Sequence, residues 1–133
     1  MASYDRPPRT PVACRAAANG TLLIRWPDGA IDRLGGHGVR LLVLLLRVYG
    51  GAMPRHTLIA VFCDVPVRQT LTISQHATFN RLLSRLQALS LIKEAPGDIL
   101  ALTLPGVHLG QWLTRTWDGW AAYATILGLD EYE

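Results

Sequence analysis

The side chains best suited to nucleophilic or metal chemistry are four histidines and two cysteines. They are scattered along the chain, at His37, His56, His76, His108, Cys14 and Cys63. No two histidines stand three or four residues apart, the spacing at which one helix face presents two metal ligands. Cys63 follows His56 by seven residues, on a similar helix face, but a single pair of this kind is weak support for a nucleophile or a metal ligand. We therefore expect no enzyme, no metal site and no cofactor.

A glycine cluster, Gly35-Gly36-His37-Gly38, opens a helical segment where backbone N–H groups could in principle bind a phosphate. A dinucleotide-binding loop needs a further small residue three positions after its second glycine, and Leu41 stands there. We therefore interpret the glycines as a flexible entry to the helix.

A second kind of chemistry, recognition of anions by arginine, is indicated by one well-defined helix. Thr72 and Gln75 fit a capping box, which predicts a helix over 72–90. Apolar residues at helical spacing form one face: Phe79, Leu82, Leu83, Leu86 and Leu89. The opposite face holds small or hydrogen-bonding residues and two arginines: Ser74, Ala77, Asn80, Arg81, Ser84, Arg85 and Ala88. An ordinary solvated helix mixes both signs of charge, so a positive face without acids favours an anionic partner.

The composition predicts one compact domain, because half of the 133 residues are hydrophobic and only 17% are charged. The longest purely apolar run, residues 41–46, is far shorter than the roughly 20 residues that span a membrane. No apolar stretch follows the N-terminal charges, as it would in a secretory signal, and two cysteines do not make a disulfide framework. These features are typical of a cytoplasmic protein.

Charge is distributed unevenly along the chain. The net charge of +3 combines +6 over residues 1–100 with −3 over residues 101–133. A basic body with a small acidic tail is compatible with nucleic acid as a partner, although it does not require one.

Turn and helix signals place the other elements around the capped helix. Pro27-Asp28-Gly29 and Pro96-Gly97-Asp98 are strong turn signals between strand-like runs, so each predicts a hairpin. Pro54 suits the first turn of a helix. The predicted order is a hairpin at 21–34, helices at about 39–49 and 54–63, a turn at 64–70, the capped helix, a hairpin at 91–94 and 99–104, and a helix from Leu109 onward.

Residues 1–20 hold three prolines and three arginines without periodicity, which predicts a flexible basic arm. One interpretation is a disordered chain start. The other is an arm that contacts phosphates or the minor groove through Arg6, Arg9 and Arg15.

The predicted order of hairpins and helices, together with the local sequence, resembles the winged helix-turn-helix family. Residues 76–92 (HATFNRLLSRLQALSLI) are similar to the recognition helix and first wing strand of MarR-like regulators. Residues 102–106 (LTLPG) resemble the exit of the second wing strand, and residues 54–58 (PRHTL) the start of helix two. The N-terminal hairpin is similar to the OmpR-like subclass. The resemblance covers about residues 36–113 and implies an α+β fold: a winged helix with an N-terminal hairpin and a C-terminal helix.

The function that follows is sequence-specific binding of double-stranded DNA by a transcriptional regulator, with helix 72–90 in the major groove. The residues expected to contact DNA are Arg55, Arg68, Ser74, Gln75, Thr78, Asn80, Arg81, Ser84, Arg85 and Lys93.

Two departures from the family pattern leave a second function open. Ser90 stands where the family usually has glycine, so the helix end must tolerate a side chain. The wing tip, residues 94–98, carries two acids with only Lys93 nearby. An acidic wing favours the alternative that the winged helix is a protein–protein interaction module in a larger complex.

The chain divides into the arm (1–20), the winged-helix domain with its hairpin (21–113) and a C-terminal helix with an acidic tail (114–133). Aromatic residues dominate many subunit contacts, so the C-terminal segment is a candidate homodimer interface. Its members are Trp112, Trp117, Trp120, Tyr123 and Leu127. The alternative is that these side chains pack into the core of their own domain.

Overall fold

The computed structural model describes residues 10–63 and 70–128 and has a mixed α+β fold, which confirms the predicted class. The described part contains five α-helices and two small antiparallel sheets. Its elements are β1 (Ala13–Ala16), β2 (Leu22–Arg25), β3 (Ile31–Leu34), α1 (Gly36–Leu46), a 3-10 turn (Tyr49–Gly51), β4 (Ala52–Pro54), α2 (Arg55–Cys63), α3 (Ile73–Ala88), β5 (Ile92–Ala95), β6 (Ile99–Leu102), α4 (Leu104–Arg115) and α5 (Trp120–Leu127). None of the described helices is long and apolar enough to cross a membrane.

The N-terminal sheet has the strand order β1-β2-β3. The predicted hairpin around Pro27-Asp28-Gly29 is confirmed, because β2 pairs with β3. A third strand extends it: β1 pairs with β2, with Cys14 opposite Ile24. The prediction of a flexible arm is therefore wrong for residues 13–16, whose backbone is held in the sheet. Arg6 and Arg9 lie outside the described residues.

The second sheet has the order β4-β6-β5. The predicted hairpin around Pro96-Gly97-Asp98 is confirmed as β5 and β6. Pro54, expected inside a helix, is instead the last residue of β4, opposite Ile99, and α2 begins one residue later. Proline cannot donate to a sheet, and it is tolerated here because β4 is an edge strand.

Helix α1 forms the centre of the core. Its side chains at Val39, Leu41, Leu42, Val43 and Leu45 are fully buried, and the helix contacts α3, α4, α5 and β6. It begins and ends about three residues earlier than predicted, so two of the expected entry glycines lie inside it. A Cβ at Gly38 would lie 3.1 Å from the Leu34 side chain, so this glycine allows close packing between α1 and β3.

The C-terminal region is two helices rather than the one predicted from Leu109. Helix α4 begins five residues earlier, because the Thr103 hydroxyl accepts a hydrogen bond from the Gly106 N–H at 3.1 Å and caps the helix. A Cβ at Gly106 would lie only 2.2 Å from the Leu91 carbonyl oxygen, so the start of α4 packs directly on the backbone that leads into β5. Helix α5 then folds back and contacts both α1 and α4.

Tyr123 joins α5 to the N-terminal sheet. Its ring is buried, and its hydroxyl donates to the Gly20 carbonyl at 2.6 Å, just before β2. The position fixes α5 against the turn between β1 and β2, over a separation of 103 residues.

We expect stability to fall at alkaline pH. Burial raises the pKa of Tyr123 from 10.0 to about 12, with the nearby Cys14 adding to the rise. The unfolded chain therefore releases this proton at lower pH than the folded chain, and the stabilisation, fully present below pH 10.0, is lost as pH rises toward about 12. The free energy of unfolding, measured with urea across this pH range, should decline less steeply for Tyr123→Phe than for the wild type. Equal declines in the two proteins would contradict this assignment.

Candidate nucleic-acid interface

The start of α3 is fixed by the capping box that the sequence predicted. The Gln75 N–H donates to the Thr72 hydroxyl oxygen at 3.0 Å, and the Thr72 N–H donates to the Gln75 side-chain oxygen at 2.8 Å. Two backbone donors are thus satisfied reciprocally, and α3 has a defined first turn.

Replacing Thr72 with alanine should lower the free energy of unfolding by about 0.5–2 kcal/mol, because one cap hydrogen bond is lost. Chemical denaturation measures the change. The matched control is Thr70→Ala, two residues earlier and exposed outside the helix. Equal effects of the two substitutions would show that the cap does not stabilise α3.

The two faces of α3 are those expected from its periodicity. Phe79, Leu83 and Leu86 are buried in the core, and Leu82 and Leu89 are half-buried. All seven residues predicted on the opposite face are exposed: Ser74, Ala77, Asn80, Arg81, Ser84, Arg85 and Ala88. The helix contains no acidic residue over its 16 positions. We call this exposed side of the helix the α3 face.

Arg81 lies in the middle of the α3 face. Its side chain is exposed and makes no hydrogen bond, ion pair or ring contact with the described part of the chain. All five guanidinium N–H donors are therefore available to a ligand.

Arg85, one turn further along, is partly engaged. Its guanidinium donates to the Arg33 carbonyl oxygen at 2.8 Å and so connects α3 to β3. The sequence does not predict this contact, because Arg33 and Arg85 lie 52 positions apart. Its other donors remain directed to solvent, since the residue is exposed.

Arg55 and Asn80 form a bridge between α2 and α3. The Arg55 guanidinium donates to the Asn80 side-chain oxygen, and it also lies 5.5 Å from the centroid of the Phe79 ring. Arg55 is half-buried, so it braces the two helices against each other. The amide nitrogen of Asn80 makes no hydrogen bond within the described part of the chain, so its two donors are available to a partner.

The remaining predicted contact residues lie in different settings. Gln75 and Thr78 are half-buried, Gln75 being used in the cap, and Lys93 is exposed on β5. Arg68 lies outside the described residues. The structure therefore places Ser74, Arg81 and Ser84 on one exposed helix face, with Arg55, Asn80 and Arg85 linking that face to its neighbours.

The tip of the β5–β6 hairpin is negative, as the sequence indicates. Glu94 and Asp98 are both exposed. Glu94 accepts a hydrogen bond from the Gln87 side chain at 3.3 Å, which connects β5 to the end of α3. Asp98 has a φ of 58°, a left-handed conformation that suits its position in the turn.

A groove between α2, α3 and the hairpin tip adds two histidines that the sequence did not assign to a DNA interface. His56 and His76, both exposed, line it together with Arg55 and Asp98. Each histidine lies in the first turn of its helix, α2 or α3. His56 and His76 line the same groove because α2 and α3 pack against each other. The only sequence signal for these two residues is that each lies near the start of a predicted helix. No group of three or more metal-ligating side chains occurs in the described residues.

No family model, curated protein or solved structure matches this chain. A function must therefore be inferred from the side chains themselves and from the elements that carry them.

The aromatic C-terminal segment is mostly internal. Tyr123 and Trp120 are 1% and 8% exposed, respectively. Trp112, Trp117 and Leu127 are half-buried and pack against the same core. The Trp117 and Tyr123 rings meet edge to face, 5.7 Å between centroids. Packing into the chain's own core, the alternative considered above, thus accounts for these residues, and Trp120 and Tyr123 are covered too well to form the surface of a dimer interface.

Proposed function

We propose that this protein is a sequence-specific double-stranded DNA-binding transcriptional regulator of the winged helix-turn-helix type, with α3 in the major groove. The order of elements supports the proposal. Helices α2 and α3 are consecutive, a hairpin (β5–β6) follows α3 directly, and α1 lies behind α3 as its support. Helix α3 has 16 residues and is therefore about 24 Å long. An α-helix with its side chains is about 10–12 Å in diameter, which fits the major groove, about 12 Å wide.

The observation that carries the proposal is the exposed, acid-free α3 face, with the Arg81 side chain at its centre making no hydrogen bond, ion pair or ring contact with residues 10–63 or with the rest of 70–128. A free guanidinium on an exposed helix is suited to a bidentate contact with guanine. Asn80 and Ser84 flank it along the helix and offer further donors to base edges. No acidic side chain on the helix opposes the approach of phosphates.

The supporting residues have two roles: some hold α3 in position, and others favour the binding of phosphates. Arg55 and Arg85 hold α3 against α2 and β3 through their own hydrogen bonds. Ser74, at the start of α3, lies where backbone N–H groups favour a phosphate. Contacts of this second kind fix the orientation of the protein on the duplex, and base contacts supply the specificity.

Fluorescence anisotropy with labelled random duplex tests the proposal. We expect binding at about 50 mM salt that weakens by at least tenfold at about 200 mM, because neutralised phosphates release counterions. Selection of bound sequences from a random pool should then enrich a defined motif. Absence of binding at the lower salt concentration would contradict the proposal.

A protein–protein interaction module is the second candidate, and the hairpin tip favours it. Exposed Glu94 and Asp98 repel a phosphate backbone, and Lys93 is the one basic residue on β5. If the protein is such a module and does not bind DNA, its addition should leave the anisotropy of labelled duplex DNA unchanged at every salt concentration.

A homodimer remains a prediction, since palindromic operators pair well with two-fold symmetric proteins. Light scattering checks it directly. A mass twice the 14.6 kDa of one chain is expected, and a mass of 14.6 kDa would contradict the prediction.

A further inference from the structure

The outer side of the N-terminal sheet carries a patterned surface that the proposed function does not use. Side chains alternate between the two faces of a strand. Leu22, Ile24 and Leu34 point into the core and are buried. The opposite side is formed by two rows of residues paired across the strands: Arg15, Leu23 and Arg33 in one row, and Ala13, Arg25 and Ile31 in the other. We call these six residues the arginine face.

The arginine face is strongly and uniformly positive. Three of its six residues are arginines and none is acidic. Asp32, the one acid in the three strands, belongs to the other side of the sheet and accepts a hydrogen bond from the Trp26 indole at 2.8 Å. The nearest acid along the chain is Asp28 in the turn, where it accepts from the Ala30 N–H at 3.0 Å. Burial raises the pKa of Cys14 to about 12, so this thiol adds no negative charge.

The face is open to solvent and slightly concave. Arg15, Arg25 and Arg33 are exposed, and Ile31 is 61% exposed. Arg15, Arg25 and Ile31 line a groove of about 370 Å³. The exposed side of an antiparallel sheet is normally polar with both signs of charge. A groove with guanidinium groups around an aliphatic floor is instead suited to a sugar–phosphate chain.

The arginine face is contiguous with the α3 face. Arg85, exposed on α3, donates to the carbonyl oxygen of Arg33, whose own side chain belongs to the arginine face. The β3 strand is an edge of its sheet, and this hydrogen bond joins that edge to α3. A duplex bound at the α3 face would therefore have its flanking backbone close to the sheet.

We propose that the arginine face binds the sugar–phosphate backbone of the same DNA duplex, next to the segment contacted by α3. The proposal rests on the proposed function. Guanidinium groups here meet phosphates rather than bases, so the face adds affinity and extends the bound length without adding sequence preference.

The dependence of affinity on duplex length tests the proposal. The best-binding sequence from the random pool is placed at one end of duplexes of about 12 and 24 base pairs, with the additional DNA on either side in turn. We expect the wild type to bind one of the longer duplexes at least tenfold more tightly than the short one. The triple variant Arg15→Gln, Arg25→Gln, Arg33→Gln should lose that gain and bind the short duplex like the wild type. Its slope of log K against log salt should be shallower by up to about 2.7, at about 0.9 for each phosphate contact.

Single variants provide the matched control. Arg25→Gln and Arg115→Gln each remove one exposed positive charge, the first on the arginine face and the second at the end of α4. We expect only Arg25→Gln to reduce the gain from duplex length, with thermal melting showing that both are folded. If the triple variant binds the longer duplex as tightly as the wild type does, with the same dependence of affinity on salt, this inference is overturned and the α3 proposal stays intact. A wild type that binds no duplex at about 50 mM salt would instead overturn the proposed function.

Discussion

Replacing Arg81 with alanine should weaken the binding of duplex DNA by about 1–3 kcal/mol, or roughly 5- to 150-fold, and relax the sequence preference at one position. Arg81 is exposed and has no partner in the described residues, so its guanidinium has no structural task that competes with binding. For the same reason the free energy of unfolding should change by less than about 0.5 kcal/mol. Anisotropy titration and urea unfolding of the same protein measure the two effects.

Arg115→Ala is the matched control, because it removes an exposed arginine of the same charge from α4. A loss of affinity shared equally by both variants would mean that net charge, rather than the α3 face, determines binding. If Arg81→Ala binds like the wild type, α3 is not the surface that reads DNA.

Replacing Phe79 with alanine should lower the free energy of unfolding by about 3–5 kcal/mol, because it leaves a cavity in the core. Phe79 is fully buried on the inner side of α3. Its ring meets Phe62 of α2 edge to face, with 5.9 Å between centroids, and the Arg55 guanidinium lies over it. The substitution therefore loosens the contact between α2 and α3 as well.

Urea unfolding of Phe79→Ala against Leu82→Ala checks this expectation. Leu82 lies on the same helix but is half-buried, so its loss should cost clearly less. Equal losses, or a loss below about 1 kcal/mol for Phe79→Ala, would contradict the placement of Phe79 at the centre of the α2–α3 contact.

The sequence predicts α3 almost completely, and the reason is that its signals are local. The capping box at Thr72 and Gln75 depends on residues three apart, and the apolar spacing defines both faces. The two hairpins are equally local, since Pro-Asp-Gly and Pro-Gly-Asp determine their turns. The main candidate surface, with Arg81 exposed at its centre, follows from these signals alone.

Short strands and helix ends are predicted poorly, because they depend on partners far along the chain. Strand β1 (ACRA) lacks β-branched or aromatic residues, and it forms because β2 offers a free edge. Strand β4 likewise pairs with β6, about 47 residues away. The start of α4 at Leu104 is determined by the Thr103 cap and by the packing of Gly106 on Leu91.

The contacts of individual site residues cannot be predicted from the sequence, because they join residues that only the tertiary fold brings together. The bonds from Arg85 to Arg33 and from Arg55 to Asn80 join residues 52 and 25 positions apart. Ser90 is a different case, because a departure from the family pattern pointed to it. It adopts a φ of 63°, the left-handed conformation that glycine takes more readily, at the end of α3.

Amide chemical shifts of the labelled protein, followed during titration with duplex DNA, test most directly whether α3 is the reading surface. We expect the largest changes at Ser74–Arg85, with smaller ones across β1–β3 and none in α5. Changes confined to the hairpin tip at Glu94 and Asp98 or to the C-terminal helices, with the resonances of α3 unmoved, would contradict the account.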